Sequence, residues 1–207
     1  MKKTLTSTTA VLGFCAIVTQ FYFVFSRKIA EGFSPVYAIN HYFSYFTVII
    51  NTAAVVLLCN SILFPNSKLN LWFKKSRHNA GLAVYILIVG FIFYALLFRS
   101  SKAQGLELFV THVLHGFMPT SYLLIWFLYF KNSDLKYAHC LHWLAVPFVY
   151  FIYVLTRGFL IGAYPYFFLN ADKLGYTLVA LYALGILSVF IAMGALMIYL
   201  DKKLRRL

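Results

Sequence analysis

The chain has 207 residues, of which 62% are hydrophobic, 20% aromatic and only 11% charged, and its mean hydropathy is +0.81. Soluble domains sit nearer half apolar and a quarter charged, so this composition excludes a water-soluble fold. A formal net charge of +13 would raise nucleic-acid binding in a soluble protein, but here the basic residues stand between apolar runs, as membrane-topology signals do, and no nucleic-acid partner is expected.

A bilayer core takes about 20 apolar residues per helix. Six runs meet that requirement, at 8–25, 39–63, 80–98, 107–130, 140–162 and 175–200. They predict an all-α, polytopic bundle of six transmembrane helices forming a single domain over 1–207. The first run follows Met-Lys-Lys, like a signal peptide, but it is longer than a typical h-region and no clear small-x-small cleavage site follows it. It reads as an uncleaved first span, with a cleaved leader as the alternative. The connections are too short for a soluble domain. The last of them holds Tyr-Pro-Tyr and then Asn-Ala-Asp-Lys, a turn-rich segment.

Orientation follows from the basic residues. With the N-terminus in the cytosol, twelve fall on that side, namely Lys2, Lys3, Lys68, Lys74, Lys75, Arg77, Lys131, Lys136, Lys202, Lys203, Arg205 and Arg206. Five fall on the other: Arg27, Lys28, Arg99, Lys102 and Lys173. The asymmetry predicts both termini inside. Cys15, Cys59 and Cys140 all lie in or beside apolar runs, with no CxxC pair, and are expected as buried free thiols rather than a disulfide framework.

Polar side chains within spans carry a free-energy cost and so mark functional candidates. In the second run Asn40, Ser44, Thr47 and Asn51 recur at helical spacing, which predicts one shared face, with His41 beside it. In the fourth, Glu107, Thr111 and His115 repeat every four residues, with His112 just off the line and Pro119 one turn on as an expected kink. Both runs enter from the outer surface in the predicted topology. Thr47 and His115 each lie about eight residues in, about 12 Å deep at 1.5 Å per residue. A hydroxyl and an imidazole at one level suit nucleophilic catalysis, with neutral His taking the proton of Thr. Asn51 is then a candidate oxyanion donor and Arg157 a candidate carboxylate ligand. Each residue also has a plainer reading. Thr47 and Ser44 serve as small packing residues, Asn51 as interhelical glue, and Arg157 as a snorkelling side chain.

A metal site is the chemical rival. His41, His112 and His115 with Glu107 offer the donor types zinc takes, but H-x-x-H is a weak signal and HExxH is absent. His139 and His142 repeat the spacing at the far end of the fifth run. No GxSxG elbow, P-loop or dinucleotide fingerprint occurs. No cofactor or metal is expected, and the many Tyr and Phe read as lipid-facing surface and interface belt.

The runs Tyr-Phe-Ser-Tyr-Phe-Thr-Val-Ile-Ile-Asn (42–51), His-Val-Leu-His-Gly-Phe-Met-Pro (112–119), Tyr-Val-Leu-Thr-Arg-Gly (153–158) and Tyr-Pro-Tyr-Phe-Phe-Leu (164–169) resemble a bacterial family of small six-span membrane proteins. That family in turn resembles the eukaryotic androgen-induced membrane hydrolases, which cleave fatty acid esters of hydroxy fatty acids with a Thr and a His inside the membrane. The resemblance spans nearly the whole chain in order and spacing. It implies a bacterial plasma membrane, a Thr47 nucleophile and a His115 base; Ser44, Asn51, Thr111, His112 and Arg157 are the expected surrounding or substrate-binding residues. Two departures stand out: Thr111 replaces the Asn found before the first His in the eukaryotic proteins, and Arg157 belongs to the bacterial pattern alone. The leading expectation is thus an intramembrane threonine hydrolase of lipid esters. The alternatives are a transporter or ligand-binding protein using the same polar cluster, and a metal or haem protein. The expected partner is a membrane lipid, and the oligomeric state is not specified by the sequence.

Overall fold

The computed structural model describes residues 2–129 and 134–204, and every regular element among them is helical. Met1, the predicted end of the fourth span at position 130, and the basic residues Lys131, Arg205 and Arg206 lie outside the described residues. Six helices are long and apolar enough to cross a membrane: Lys3–Ala30, Phe46–Leu63, Ser76–Ser100, Gly105–Tyr129, Ala138–Ile161 and Ala171–Lys203. The chain is an all-helical integral membrane protein. Its helices group into two compact units, Met1–Asp134 and Leu135–Leu207.

The first unit opens with α1 (Lys2–Ala30), which outruns its apolar stretch at both ends. Arg27 and Lys28 in its last turn suit the negative end of the helix dipole. Helix α2 (Pro35–Phe43) is started by Ser34, whose Oγ accepts the Tyr37 N–H, and by Pro35 at the first helical position. The second span, α3, runs only from Phe46 to Leu63. The predicted continuous helix over 39–63 is therefore corrected. Ser44 turns its hydroxyl back to the His41 carbonyl at 2.7 Å, its backbone N–H bonds the same carbonyl, and Tyr45 is extended with φ −79° and ψ 128°. A serine that bonds nearby backbone offers the chain an alternative to the helical ladder. The shared face of Asn40, Ser44, Thr47 and Asn51 does not survive this break.

After the short helix α4 (Lys68–Phe73), α5 (Ser76–Ile92) widens into a π-helical turn at Phe93–Leu97 and then tightens into a 3-10 turn at Phe98–Ser100. Helix α6 (Gly105–His112) widens in the same way at Val113–Phe117 before α7 (Met118–Tyr129). The second widening has a clear cause. Pro119 has no N–H for the His115 carbonyl, and its ring crowds that oxygen, so the turn before it takes an extra residue. The expected kink is thus a π-turn. Helix α1 packs on α3, α6 and α7, and α5 packs on α3 and α7, so the four spans of this unit close a ring. Tyr42, Ile86, Leu114, Met118, Tyr122 and Trp126 fill it.

The second unit holds α8 (Ala138–Trp143), α9 (Ala145–Ile161) and α10 (Ala171–Leu204). The fifth span breaks at Leu144, where Pro147 has no N–H to return to the Trp143 carbonyl. The sixth is interrupted at Gly175, whose φ of +74° suits glycine alone. Helix α8 packs on α9 and α10. Among the cysteines, Cys140 is buried and Cys59 half-buried, while Cys15 is exposed, which corrects its expected burial.

Candidate functional site

Thr47 owes its position to the break before it. With Tyr45 as the extended cap, Thr47 becomes the second residue of α3 and stands in the helix's first turn. His115 is the middle residue of the Val113–Phe117 π-turn. The two side chains meet, with Thr47 Oγ1 3.3 Å from His115 Nε2. The second ring nitrogen, Nδ1, lies 2.8 Å from the Thr111 carbonyl. A carbonyl only accepts, so Nδ1 carries the hydrogen. In the neutral ring Nε2 then has the lone pair and faces the threonine hydroxyl as an acceptor. Both residues are half-buried.

Three neighbours hold this arrangement. The Phe93 ring, at the start of the other π-turn, stacks on the imidazole with centroids 3.9 Å apart and planes at 22°. Asn51, fully buried, donates through Nδ2 to the Thr47 carbonyl at 2.9 Å and to the Leu114 carbonyl at 3.3 Å. One amide thus ties the turn of Thr47 to the turn of His115. Its Nδ2 donors are spent on these carbonyls, and its Oδ1 has no hydrogen-bond partner. The expected oxyanion-donor role for Asn51 is replaced by that of a clamp. Finally, a Cβ on Gly90 would stand 2.6 Å from the His115 carbonyl and 3.2 Å from Pro119 Cγ. Only glycine lets α5 approach the carbonyl that Pro119 leaves without its usual donor.

The other predicted residues are placed as follows. Thr111 is buried, and its hydroxyl donates to the Glu107 carbonyl at 2.8 Å. Glu107, Thr111 and His115 therefore lie in line along one face. The Glu107 carboxylate receives Arg27 Nη2 at 2.7 and 2.8 Å. His112 turns away to Tyr94, whose hydroxyl is 2.9 Å from Nδ1. Ser44 is buried in the break, and Asn40 bonds its own helix at the Val36 carbonyl. His41 pairs with the Tyr45 hydroxyl at 3.2 Å. Among the described residues, no three His, Cys, Asp or Glu side chains come together to hold a metal, so the donor set of His41, His112, His115 and Glu107 is dispersed. Arg157 belongs to the second unit, where it is buried and donates to the Ala163 carbonyl.

Phe93, Tyr94 and Gly90 escaped the sequence reading. Aromatic residues in an apolar run look lipid-facing, yet Phe93 is only 5% exposed. The one signal pointing toward them was Pro119, which announces a disturbed helix whose carbonyl needs a close neighbour. Comparison with protein family models, with curated proteins and with solved structures gives no significant match.

Proposed function

We propose that the chain is an intramembrane hydrolase of lipid esters, with Thr47 as nucleophile and His115 as general base. The observation that carries this reading is the relay from the Thr47 hydroxyl to His115 Nε2, with Nδ1 anchored on the Thr111 carbonyl. A threonine hydroxyl is a weak nucleophile until an adjacent base takes its proton, and the third group in such a relay fixes the base's tautomer. A separation of 3.3 Å is at the long end, as in substrate-free sites that tighten on binding.

In the first half-reaction Thr47 Oγ1 attacks the ester carbonyl and its proton passes to Nε2. The tetrahedral adduct collapses, the alcohol leaves with that proton, and an acyl-threonine remains. In the second, water attacks the acyl-threonine, its proton passes to Nε2 and returns to Thr47, and the acid departs. Negative charge on the adduct develops beside the first turn of α3, the favourable end of a helix dipole. On the charge asymmetry both termini lie in the cytosol, and the half-buried pair then falls in the outer half of the bilayer, at the level of a lipid arriving sideways. The resemblance to the androgen-induced hydrolases favours fatty acid esters of hydroxy fatty acids as substrates.

The test is labelling of the purified protein by a fluorophosphonate probe, beside hydrolysis of such an ester. Wild type should react in both assays, and Thr47→Ala and His115→Ala in neither. Labelling that persists in both variants would refute the pair.

A further inference from the structure

Arg157 raises a separate question. It lies one turn before the end of α9, where Gly162, at φ +63°, reverses the chain. The loop that follows folds back so tightly that a Cβ on Gly158 would stand 1.9 Å from Tyr164 Cε1. Within this return, Arg157 is 8% exposed. Its Nη1 donates to the Ala163 carbonyl, and its Nη2 is buried without a hydrogen-bond partner among the described residues.

A guanidinium keeps its charge under all ordinary conditions. A snorkelling arginine would carry that charge into water, and this one does not. A buried charge is tolerated when a counter-charge meets it, yet Arg157 forms no ion pair among the described residues. Asp172 is the nearest acidic residue along the chain, and it accepts a hydrogen bond from the Tyr164 hydroxyl at 3.2 Å instead. Immediately after Arg157 and Gly158, the side chains of Phe159, Leu160 and Ile161 are 76%, 70% and 54% exposed. A buried, half-satisfied cation therefore adjoins an apolar helix surface open to acyl chains.

The geometry points to a binding site for an anionic amphiphile, with its oxyanion head on the Arg157 guanidinium and its hydrocarbon along Phe159–Ile161. A fatty acid carboxylate and a lipid phosphate offer the same chemistry. An arginine fork recognises either one through charge-assisted hydrogen bonds. The site is built entirely from the second unit and does not depend on ester hydrolysis at Thr47.

The test uses the full chain in phosphatidylcholine nanodiscs. Oleate is added in one arm and phosphatidylglycerol in another, with methyl oleate as the uncharged control. Bound lipid is counted by native mass spectrometry and stability is followed by thermal melting. Wild type should retain at least one of the two anions. Arg157→Gln should weaken that retention about tenfold or more, the loss expected of one charged hydrogen bond, and Arg157→Lys should lie between. Methyl oleate should not distinguish the three proteins. Loss confined to one arm identifies the head group. Equal retention of both anions by folded Arg157→Gln would overturn the site. Should that variant fail to fold, wild type decides alone. Stabilisation by oleate beyond methyl oleate, or by phosphatidylglycerol beyond phosphatidylcholine, supports the site, and equal stabilisation in both comparisons rejects it. Binding of oleate requires no turnover, so the outcome stands whatever the hydrolysis assay gives.

Discussion

The two candidate sites differ in how their hydrogen-bond donors are placed. In the first, the Thr47, His115, Thr111 and Asn51 side chains point their donors at one another or at backbone carbonyls. In the second, Arg157 places one nitrogen on Ala163 and leaves the other without a partner among the described residues. The enclosing helices differ too. The four spans of the first unit are 22%, 33%, 56% and 50% buried over their most apolar stretches, so its third and fourth stand apart from the fifth and sixth, at 17% and 22%. A cluster whose donors are all placed, inside a closed ring, is suited to holding a geometry before a reactant arrives. A lone cation on a lipid-facing hairpin is suited to being completed by something that arrives. Each assignment can be broken by substitution.

The largest effect is expected within the relay. Thr47→Val keeps shape and removes the hydroxyl, and should lower ester hydrolysis at least about a thousandfold, as loss of a nucleophile that acts as a unit with its base does. Thr47→Ser restores a hydroxyl and should recover most of the rate. Steady-state kinetics with unchanged melting temperature would tie the loss to chemistry rather than folding.

The next effect separates the two units by stability. Asn51→Leu takes this donor from the Leu114 carbonyl in a buried site and should cost about 1–3 kcal/mol in unfolding free energy. Arg157→Met, in phosphatidylcholine free of anionic lipid, removes a charge that no described residue pairs with. It should leave the melting temperature unchanged or raise it, since replacing buried charge by apolar volume is often neutral or stabilising. A drop as large as that of Asn51→Leu would erase the contrast between the units.

Gly90→Ala follows. Its Cβ would meet the His115 carbonyl at 2.6 Å, and that is backbone with little freedom to retreat. Overpacking of this kind typically costs about 1–3 kcal/mol. Here the strain falls on the histidine's own turn, so hydrolysis should suffer more than thermal stability. An alanine variant with full activity would mean that the close approach of α5 does not position His115.

Membrane spans were legible because an apolar run about 20 residues long has few other readings. What blurred was everything decided by a single hydrogen bond. The break at Ser44–Tyr45 leaves hydropathy unchanged, and its cause is a hydroxyl turned to His41. The spacing of Asn40, Ser44, Thr47 and Asn51 therefore looked like one helical face when two helices meet there. The π-turn at Phe93–Leu97 is equally silent in composition, since an extra residue in a turn alters register without altering residue type, and Pro119 announces only that the helix is disturbed near Val113–Phe117, not the form it takes. Counting residues from the ends of the runs put Thr47 and His115 at one level, and the two side chains do meet, although the count took the second run as one helix where Ser44–Tyr45 breaks it. It said nothing of Phe93 or Gly90, which act through stacking and close approach across helices.

The smallest effect is expected at the rim of the first unit. Arg27 reaches both oxygens of Glu107 from the end of α1, and Glu107 begins the face that continues through Thr111 to His115. The link to the site nevertheless runs through the backbone carbonyl of Glu107, whereas Arg27 holds its carboxylate. With side chains 54% and 19% exposed, the pair is screened, and exposed pairs contribute only about 0.2–1 kcal/mol. Arg27→Gln should therefore lower stability by no more than that, shrink further in high salt, and leave hydrolysis within about twofold of wild type, since a backbone link does not need the ion pair. A tenfold loss of rate in Arg27→Gln would show that the ring of spans is held at its rim as well as in its core, and that the site in the first unit is less self-sufficient than its hydrogen bonds imply.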